Sequence, residues 1–276
     1  MKFSVITPAF NAVRWLPACV ASVRHACEGM DYEHWVIDGG SADGTRDFLE
    51  SQPDVRWISE PDRGMYDALN KGLARATGEV VGHLNADEQY NRDGLRAALA
   101  KLEQQRGVDS VFGPTVMVDA EQNFLQLFKQ IVVPRVDDAV WCMPVQSCSL
   151  LTRRAIAVRI PYDMRFRLVA DHAWFYRQMK LGLRLAMVDK PIGIFTWRTD
   201  NLSNVGASED ALDGLPRKTG RLKLAKHYYR WRKFLAGGYR RDPVDYEIVQ
   251  GGQVRRVRIE KPALKLPPER LRGRTN

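Results

Sequence analysis

The sequence predicts an α/β fold with a mainly parallel central sheet covered by helices on both faces. Three observations carry that reading. Four short apolar segments recur within the first 90 or so residues, each ends in polar or turn-forming residues, and amphipathic helical patterns follow the first three. Parallel strands joined through helices give this alternation, because the crossover needs a helix and both sheet faces are then covered.

Phe3 to Thr7 reads as the first strand, ended by Pro8, and Asn11 is placed to cap a helix with Val13, Leu16, Val20, Val23 and Cys27 at helical spacing. "EHWVIDGGSADGT" repeats the plan with a strand, a three-glycine turn and a helix through Phe48 and Leu49. "VRWISEP" is the third strand, and Met65 to Ala76 a helix with Leu69 and Leu73 inward and Gly78 just past its end. Glu79 to Leu84 is the fourth strand, halted by Asn85, Asp87 and Glu88. The second half is less regular. Asp109 to Val118 and Gln146 to Leu151 read as strands, Ala170 to Leu181 as a helix, and Leu183 to Val188 with Ile192 to Trp197 as closing strands. Beyond about residue 204 a basic helix within Pro216 to Leu235 precedes a hairpin turning at Gly251-Gly252, and the last dozen residues read as loose. The division expected is 1–205 as the main domain and 206–276 as a basic C-terminal extension.

Composition narrows the classes. With 276 residues and 45% hydrophobic content the chain can bury a sizeable core, so a disordered protein is excluded. The N-terminus lacks a signal-peptide layout and no apolar run reaches about 18 residues, so a cytoplasmic protein is expected. Cys19, Cys27, Cys142 and Cys148 form no Cys-x-x-Cys pair and read as reduced thiols. The net charge of +9 is uneven: from Pro216 onward 18 Lys and Arg face 5 Asp and Glu, whereas residues 1–215 carry 24 against 28. A basic stripe of that kind meets nucleic acid, an anionic membrane or an acidic ligand.

In open α/β sheets ligands sit outside the carboxyl ends of the strands. There the chain offers Thr7-Pro8-Ala9, Asp38-Gly39-Gly40, Glu60-Pro61-Asp62 and Asn85-Ala86-Asp87-Glu88, which together make an acidic crevice. Oxygen ligands such as Asp87 suit Mg²⁺ or Mn²⁺, which keeps waters and takes further ligands from a substrate diphosphate. Alone, an Asn-x-Asp triplet is as well explained by a capped turn. Asp38 can accept from a nucleobase while Gly39 and Gly40 allow close backbone approach, although a plain βα turn uses the same residues. "GGSADG" is not the dinucleotide fingerprint.

In order and spacing, "FSVITPAFN", "WVIDGGSADGT" and "SEPDRGMYDALNKGLARATGEVVGHLNADE" resemble the N-terminal motifs of family 2 glycosyltransferases with the GT-A fold, and most of all bacterial enzymes building cell-surface polysaccharides or glycolipids. The resemblance covers residues 3 to about 90 closely and extends loosely to about 204. It implies a GT-A fold and a nucleotide-sugar donor whose base is surrounded by Pro8, Ala9 and Asp38. Asp62, Arg63, Gly64, Asp67, Asn70 and Lys71 would line the donor's nucleotide or sugar. Asn85-Ala86-Asp87 would stand for the family's Asp-x-Asp motif, with Asn85 near the ribose and Asp87 holding Mn²⁺ or Mg²⁺. In "VADHAWFYRQMKLG", Asp171 would be the base of an inverting displacement, taking the proton of the acceptor hydroxyl; without the resemblance a helix N-terminal carboxylate explains it equally well. His172 beside it reads as structural. In "FTWRTDNLSN", Arg198 is a phosphate contact or a surface charge, and Asp200-Asn201 stand where relatives carry glycines.

The partners expected are therefore the nucleotide-sugar, a sugar or lipid-linked sugar acceptor and, through Tyr228, Tyr229, Trp231 and Phe234 of the basic helix, the anionic inner face of a membrane. A helix packed on the body with a solvated basic face explains that segment equally. Two further alternatives are a nucleotidyltransferase, which "ITPAFNAVRW" disfavours by lacking a basic phosphate loop, and a non-catalytic module binding nucleic acid or membrane through the tail. The acidic first part and the absence of a nucleic-acid motif make nucleic acid the weaker partner.

Overall fold

The computed structural model describes residues 1–142, 145–165, 170–198, 220–235 and 241–264. Strand β1 (Phe3–Ala9) is buried along all seven residues, because it is central to the sheet and covered on both faces. Helix α1 (Leu16–Ala26) follows, burying Leu16, Cys19, Val20 and Val23 with Pro17 in its first turn, where a missing N–H costs nothing. Asn11 does not cap it. The helix begins four residues later than that reading required; Asn11 instead takes a left-handed φ of 47°, and its Oδ1 accepts from Ala42 N at 3.1 Å.

Next come β2 (Tyr32–Asp38), α2 (Thr45–Glu50), β3 (Val55–Ser59), α3 (Met65–Arg75) and β4 (Val80–His83), as the pattern predicts. Helix α3 lies close on the sheet: a Cβ on Gly72 would sit 2.3 Å from Ile6 Cγ2. The chain continues through β5 (Gln89–Tyr90), α4 (Arg92–Gln104), β6 (Ser110–Phe112), β7 (Thr115–Val118), β8 (Phe124–Phe128), α5 (Val136–Cys142), β9 (Leu150–Arg153) and α6 (Arg154–Ala157). It ends with α7 (Ala170–Lys180), β10 (Leu185–Met187), β11 (Gly193–Thr196), α8 (Gly220–Leu235), β12 (Val244–Gln250) and β13 (Gln253–Ile259).

The main sheet has seven strands in the order β10-β6-β9-β4-β1-β2-β3. It is mixed: β9 runs antiparallel to both β4 and β6, while the other pairings are parallel. The predicted strand 109–118 is two strands. Gly113 and Pro114 interrupt it, and β7 leaves to join a second sheet ordered β5-β11-β7-β8; proline lacks the ladder N–H a continuous central strand would need. Likewise 146–151 opens with a 3-10 turn, Ser147–Ser149, before β9.

The second sheet carries the hairpin. Gly251 and Gly252 turn it at φ 58° and 78°, and Val244, Tyr246 and Ile248 pack with Val116, Val118, Leu127 and Ile194. Side-chain amides finish the join, with Val249 N donating to Gln89 Oε1 at 2.7 Å and Glu247 N to Asn91 Oδ1 at 3.0 Å. Helix α8 is anchored through buried Leu222 and Tyr229 and through Arg221, 2.7 Å from Asp138. Cys19, Cys27 and Cys148 are free, buried thiols. Among the described residues no helix is long and apolar enough to cross a membrane. Asp200, Asn201, the expected start of the basic helix at Pro216 and the last dozen residues lie outside the described residues.

Candidate active site

The loops after β1, β2 and β3 are built as one unit around Asp38. Its buried carboxylate accepts from Ser59 Oγ at 2.6 Å, Ser41 N at 3.1 Å and Gly40 N at 3.2 Å, and from the Ser41 hydroxyl. Ser41 Oγ also accepts from Asn11 N at 2.7 Å, and Gly39 N donates to Ala9 O at 2.8 Å. Pro8 and Ala9 are buried at the end of β1, and next to them Phe10 stands 65% exposed, an aromatic that the sequence reading passed over. Asp62 is packed against this rim, since a Cβ on Gly39 would meet its Oδ2 at 2.7 Å.

The β3–α3 loop is self-braced. Asp62 Oδ1 accepts from Gly64 N at 2.8 Å, and Asp67 Oδ2 accepts from Arg63 N at 3.1 Å. Lys71 bridges Glu60 at 2.9 Å and Asp67 at 3.6 Å; burial works against its charge, but Glu60 and then Asp67 outweigh it and raise its pKa. Arg63 holds its side chain 79% exposed. Asn70 faces elsewhere. Its Nδ2 donates to Tyr162 O at 2.9 Å and its Oδ1 accepts from Tyr162 N at 2.8 Å, so it fixes the Tyr162 loop.

Beyond β4 the chain turns at once into β5, and the pairing of β5 with β11 brings Arg198 back to this turn. Thr196 Oγ1 donates to Asp87 O at 2.5 Å, and Arg198 Nη1 lies 3.3 Å from Asp87 Oδ2. The Arg198 guanidinium also sits 5.0 Å from the Trp15 ring centroid, which aligns it between α1 and Asp87. Asn85 turns its side chain to His83, with Oδ1 2.9 Å from Nε2, and its backbone N donates to Glu88 Oε2 at 2.8 Å.

Asp171 stands in the first turn of α7, where Oδ1 accepts from His172 N at 2.9 Å and from Tyr66 OH at 3.3 Å. It opens into a pocket that also holds His83 and His172. Glu88 feels the charge of both acidic groups. It is fully buried, and burial, followed by the charge of Asp87 and, more weakly, that of Asp171, pushes its carboxyl up to about 8. Tyr66, His83 and the neutral state of Glu88 were missed in sequence because each depends on what tertiary packing sets beside it. Arg198 reaches Asp87, whereas Lys71 is committed to its own loop.

Comparison with known proteins gives a consistent result. Residues 4–159 match the model of Glycosyl transferase family 2. An uncharacterized glycosyltransferase of Mycobacterium tuberculosis is 37% identical over 262 residues, covering 84% of this chain and 92% of that protein. A "PGL/p-HBAD biosynthesis glycosyltransferase" of the same species is 31% identical over 176 residues, covering 61% of this chain and 66% of its own length, just under two thirds. Among solved structures, S. aureus TarS in complex with UDP-GlcNAc superposes with a TM-score of 0.63 at 20% identity, over 85% of this chain and 73% of that one. The mannosyltransferase PcManGT from Pyrobaculum calidifontis, in complex with GDP-Man and Mn2+, gives 0.55 at 19% identity, over 86% and 71%. These two likenesses bear on the fold alone.

Glu88 gives a measurable pH signature. Between its ordinary value of 4.5 and about 8 the folded chain keeps a proton that the unfolded chain has released, so stability falls as pH rises through that window. Glu88→Gln removes the titration with little change of shape. In metal-free protein the melting temperature of the variant relative to wild type is expected to rise by at least about 3 °C from pH 5 to pH 8. A difference independent of pH would show that Glu88 is ionised in the fold.

Proposed function

This chain belongs to glycosyl transferase family 2, and we propose that it moves a sugar from a nucleoside-diphosphate-sugar to an acceptor hydroxyl with inversion at the anomeric carbon. The names of its relatives support a setting in bacterial surface polysaccharide or glycolipid synthesis. One observation carries the reading: Asp87, at the turn after β4 where Arg198 Nη1 lies 3.3 Å from its carboxylate, and Asp171, at the start of α7, both raise the pKa of the buried Glu88, which fits two carboxylates sharing one site at the strand ends where ligands bind.

On this reading the acceptor hydroxyl lies against Asp171. Tyr66 and the helix N–H engage Oδ1; among the described residues nothing engages Oδ2, the atom assigned to the proton. As that proton passes to Oδ2, the acceptor oxygen bonds to the anomeric carbon and the bond to the diphosphate oxygen breaks on the opposite face. Arg198 orients the departing diphosphate and offsets its charge. Phe10, exposed beside Ala9, is assigned to stacking on the base, a contact worth roughly 1–3 kcal/mol. Asp38, whose hydrogen bonds are spent on its own loops, shapes that site, and Asp62 to Gly64 with Asp67 form its far wall. Asn70 and Lys71 act through the loops they brace, and Asn85 through Glu88 and His83.

The metal follows the same logic. Among the described residues no three His, Cys, Asp or Glu side chains gather as a cage, and the reading assigns the ion to the Asp87 carboxylate. That fits Mg²⁺ or Mn²⁺ arriving with the donor, since such ions take one or two carboxylates and fill the remaining positions with water and phosphate oxygens. Bound there, the ion would supply further charge neutralisation at the diphosphate.

Helix α8 is assigned to an anionic membrane. Leu224, Tyr228, Trp231 and Leu235 recur on one stripe and are 73%, 53%, 57% and 63% exposed. They lie opposite the buried Leu222 and Tyr229, with Arg230 and Arg232 on the flanks. An apolar ridge between cations matches the acyl-headgroup boundary of anionic lipid.

With UDP- and GDP-sugars and a hydroxylated lipid extract, the protein is expected to release nucleoside diphosphate. Asp171→Asn should lower that release about 10²–10⁴-fold while leaving nucleotide binding intact; pyrophosphate as the product would favour nucleotidyl transfer instead. In sedimentation with vesicles, phosphatidylglycerol should retain the protein and phosphatidylcholine should not. Joint substitution of Leu224→Ser and Trp231→Ser should weaken retention about tenfold or more; equal retention on both lipids, or an indifferent variant, removes α8 from this role.

A further inference from the structure

Asp87 is held by a cation of the chain itself. Arg198 Nη1 lies 3.3 Å from its Oδ2, and the two side chains are only 22% and 21% exposed, so water screens the pair less than it would on an open surface. The guanidinium has a further contact in the Trp15 ring, whose centroid is 5.0 Å away. Arg14 lies over the same ring at 4.6 Å and brings a second positive charge to this corner of the site.

The main chain on each side of the pair is fastened. Thr196 Oγ1 donates to Asp87 O at 2.5 Å, Trp197 N donates to Val118 O at 2.7 Å, and Glu88 N closes the turn onto Asn85 O at 3.0 Å. A change of partner at Asp87 therefore falls to the Arg198 side chain, whose rotatable stem moves the charged end while β11 and the turn after β4 stay in place. A divalent ion and a guanidinium make competing claims on one carboxylate, and they repel each other besides. A diphosphate removes the conflict, because its oxygens take a guanidinium through paired N–H bonds.

We propose that Arg198 guards Asp87. Paired with it, the arginine keeps a lone Mg²⁺ or Mn²⁺ off the carboxylate, and a nucleoside diphosphate, by drawing the guanidinium to its phosphates, opens Asp87 to the ion. Diphosphate and ion then bind with positive coupling, each raising the affinity of the other by the same factor. The proposal rests on the transferase reading, which assigns both ligands to this turn. Arg198 is then a positioning residue that couples the two.

The test titrates Mn²⁺ into the full chain without nucleotide, the unbound ion being read by electron paramagnetic resonance. Arg198→Gln is expected to bind Mn²⁺ about fivefold or more tightly than the wild type, and Arg198→Lys, which keeps a cation there, to stay within about twofold of it. Adding Asp87→Ala to Arg198→Gln should remove the gain, which locates it at this carboxylate. With saturating UDP or GDP, Mn²⁺ should bind the wild type at least about tenfold more tightly than without nucleotide, and that factor should shrink in Arg198→Gln. Equal or weaker Mn²⁺ binding by a cooperatively melting Arg198→Gln, a gain that survives Asp87→Ala, or a coupling factor that Arg198→Gln leaves unchanged overturns the proposal. So does a wild type whose Mn²⁺ affinity is indifferent to a bound nucleotide, a comparison that needs no variant to fold. Nucleotide binding with Mn²⁺ affinity insensitive to Arg198 removes the guard alone. Binding of neither nucleotide overturns the transferase reading, while the titrations with Mn²⁺ alone still decide whether Arg198 and the ion compete for Asp87.

Discussion

The buried carboxylate of Asp38 ties the carboxyl ends of three strands into one rim. It ends β2, takes the hydroxyl of Ser59 from the end of β3, and through Ser41 holds the main chain at Asn11 beyond β1. A carboxylate taken from water needs its hydrogen bonds replaced, and here two hydroxyls and two backbone N–H groups replace them. The consequence is positional. Phe10 lies in the chain between Ala9, whose carbonyl accepts from Gly39 N, and Asn11, whose N donates to Ser41 Oγ, so both of its neighbours are fastened to the loop after β2.

A second constraint comes from the short second sheet. Because β5 begins right after Glu88 and pairs with β11, the chain cannot extend β4 into a long loop, and Arg198 is delivered to Asp87. The local charge balance then follows from burial. Burial first, then the charge of Asp87 and more weakly that of Asp171, raises the Glu88 carboxyl to about 8, so it keeps its proton at neutral pH. On the proposed reading Asp87 serves the leaving group and Asp171 the acceptor.

Much of the first half was legible because its information is local. The apolar runs of β1, β2 and β4 and the Leu69/Leu73 spacing of α3 each fix an element without reference to the rest. The antiparallel β9 was not legible, since its place depends on pairing with both Val80–Gly82 and Ser110–Phe112, far away in sequence. Helix α4 had a readable signal in Leu95, Leu99 and Leu102, which are all buried, but it was passed over in favour of the acidic turn before it. Within the site, the carboxylates could be named from their positions at strand ends. The commitments of Asn70 to Tyr162 and of Lys71 to Glu60 could not, because a side chain's partner across the fold leaves no mark on its neighbours in sequence.

The central claim is that the crevice binds a nucleoside diphosphate together with a divalent ion at Asp87. Calorimetric titration of the full chain with UDP and with GDP, each with and without Mn²⁺ and repeated on Asp87→Ala, tests it most directly. The account predicts that one nucleotide binds, that Mn²⁺ is required, and that the substitution abolishes the binding. Binding of neither nucleotide to folded protein, or binding that is indifferent to both Mn²⁺ and Asp87→Ala, would contradict it.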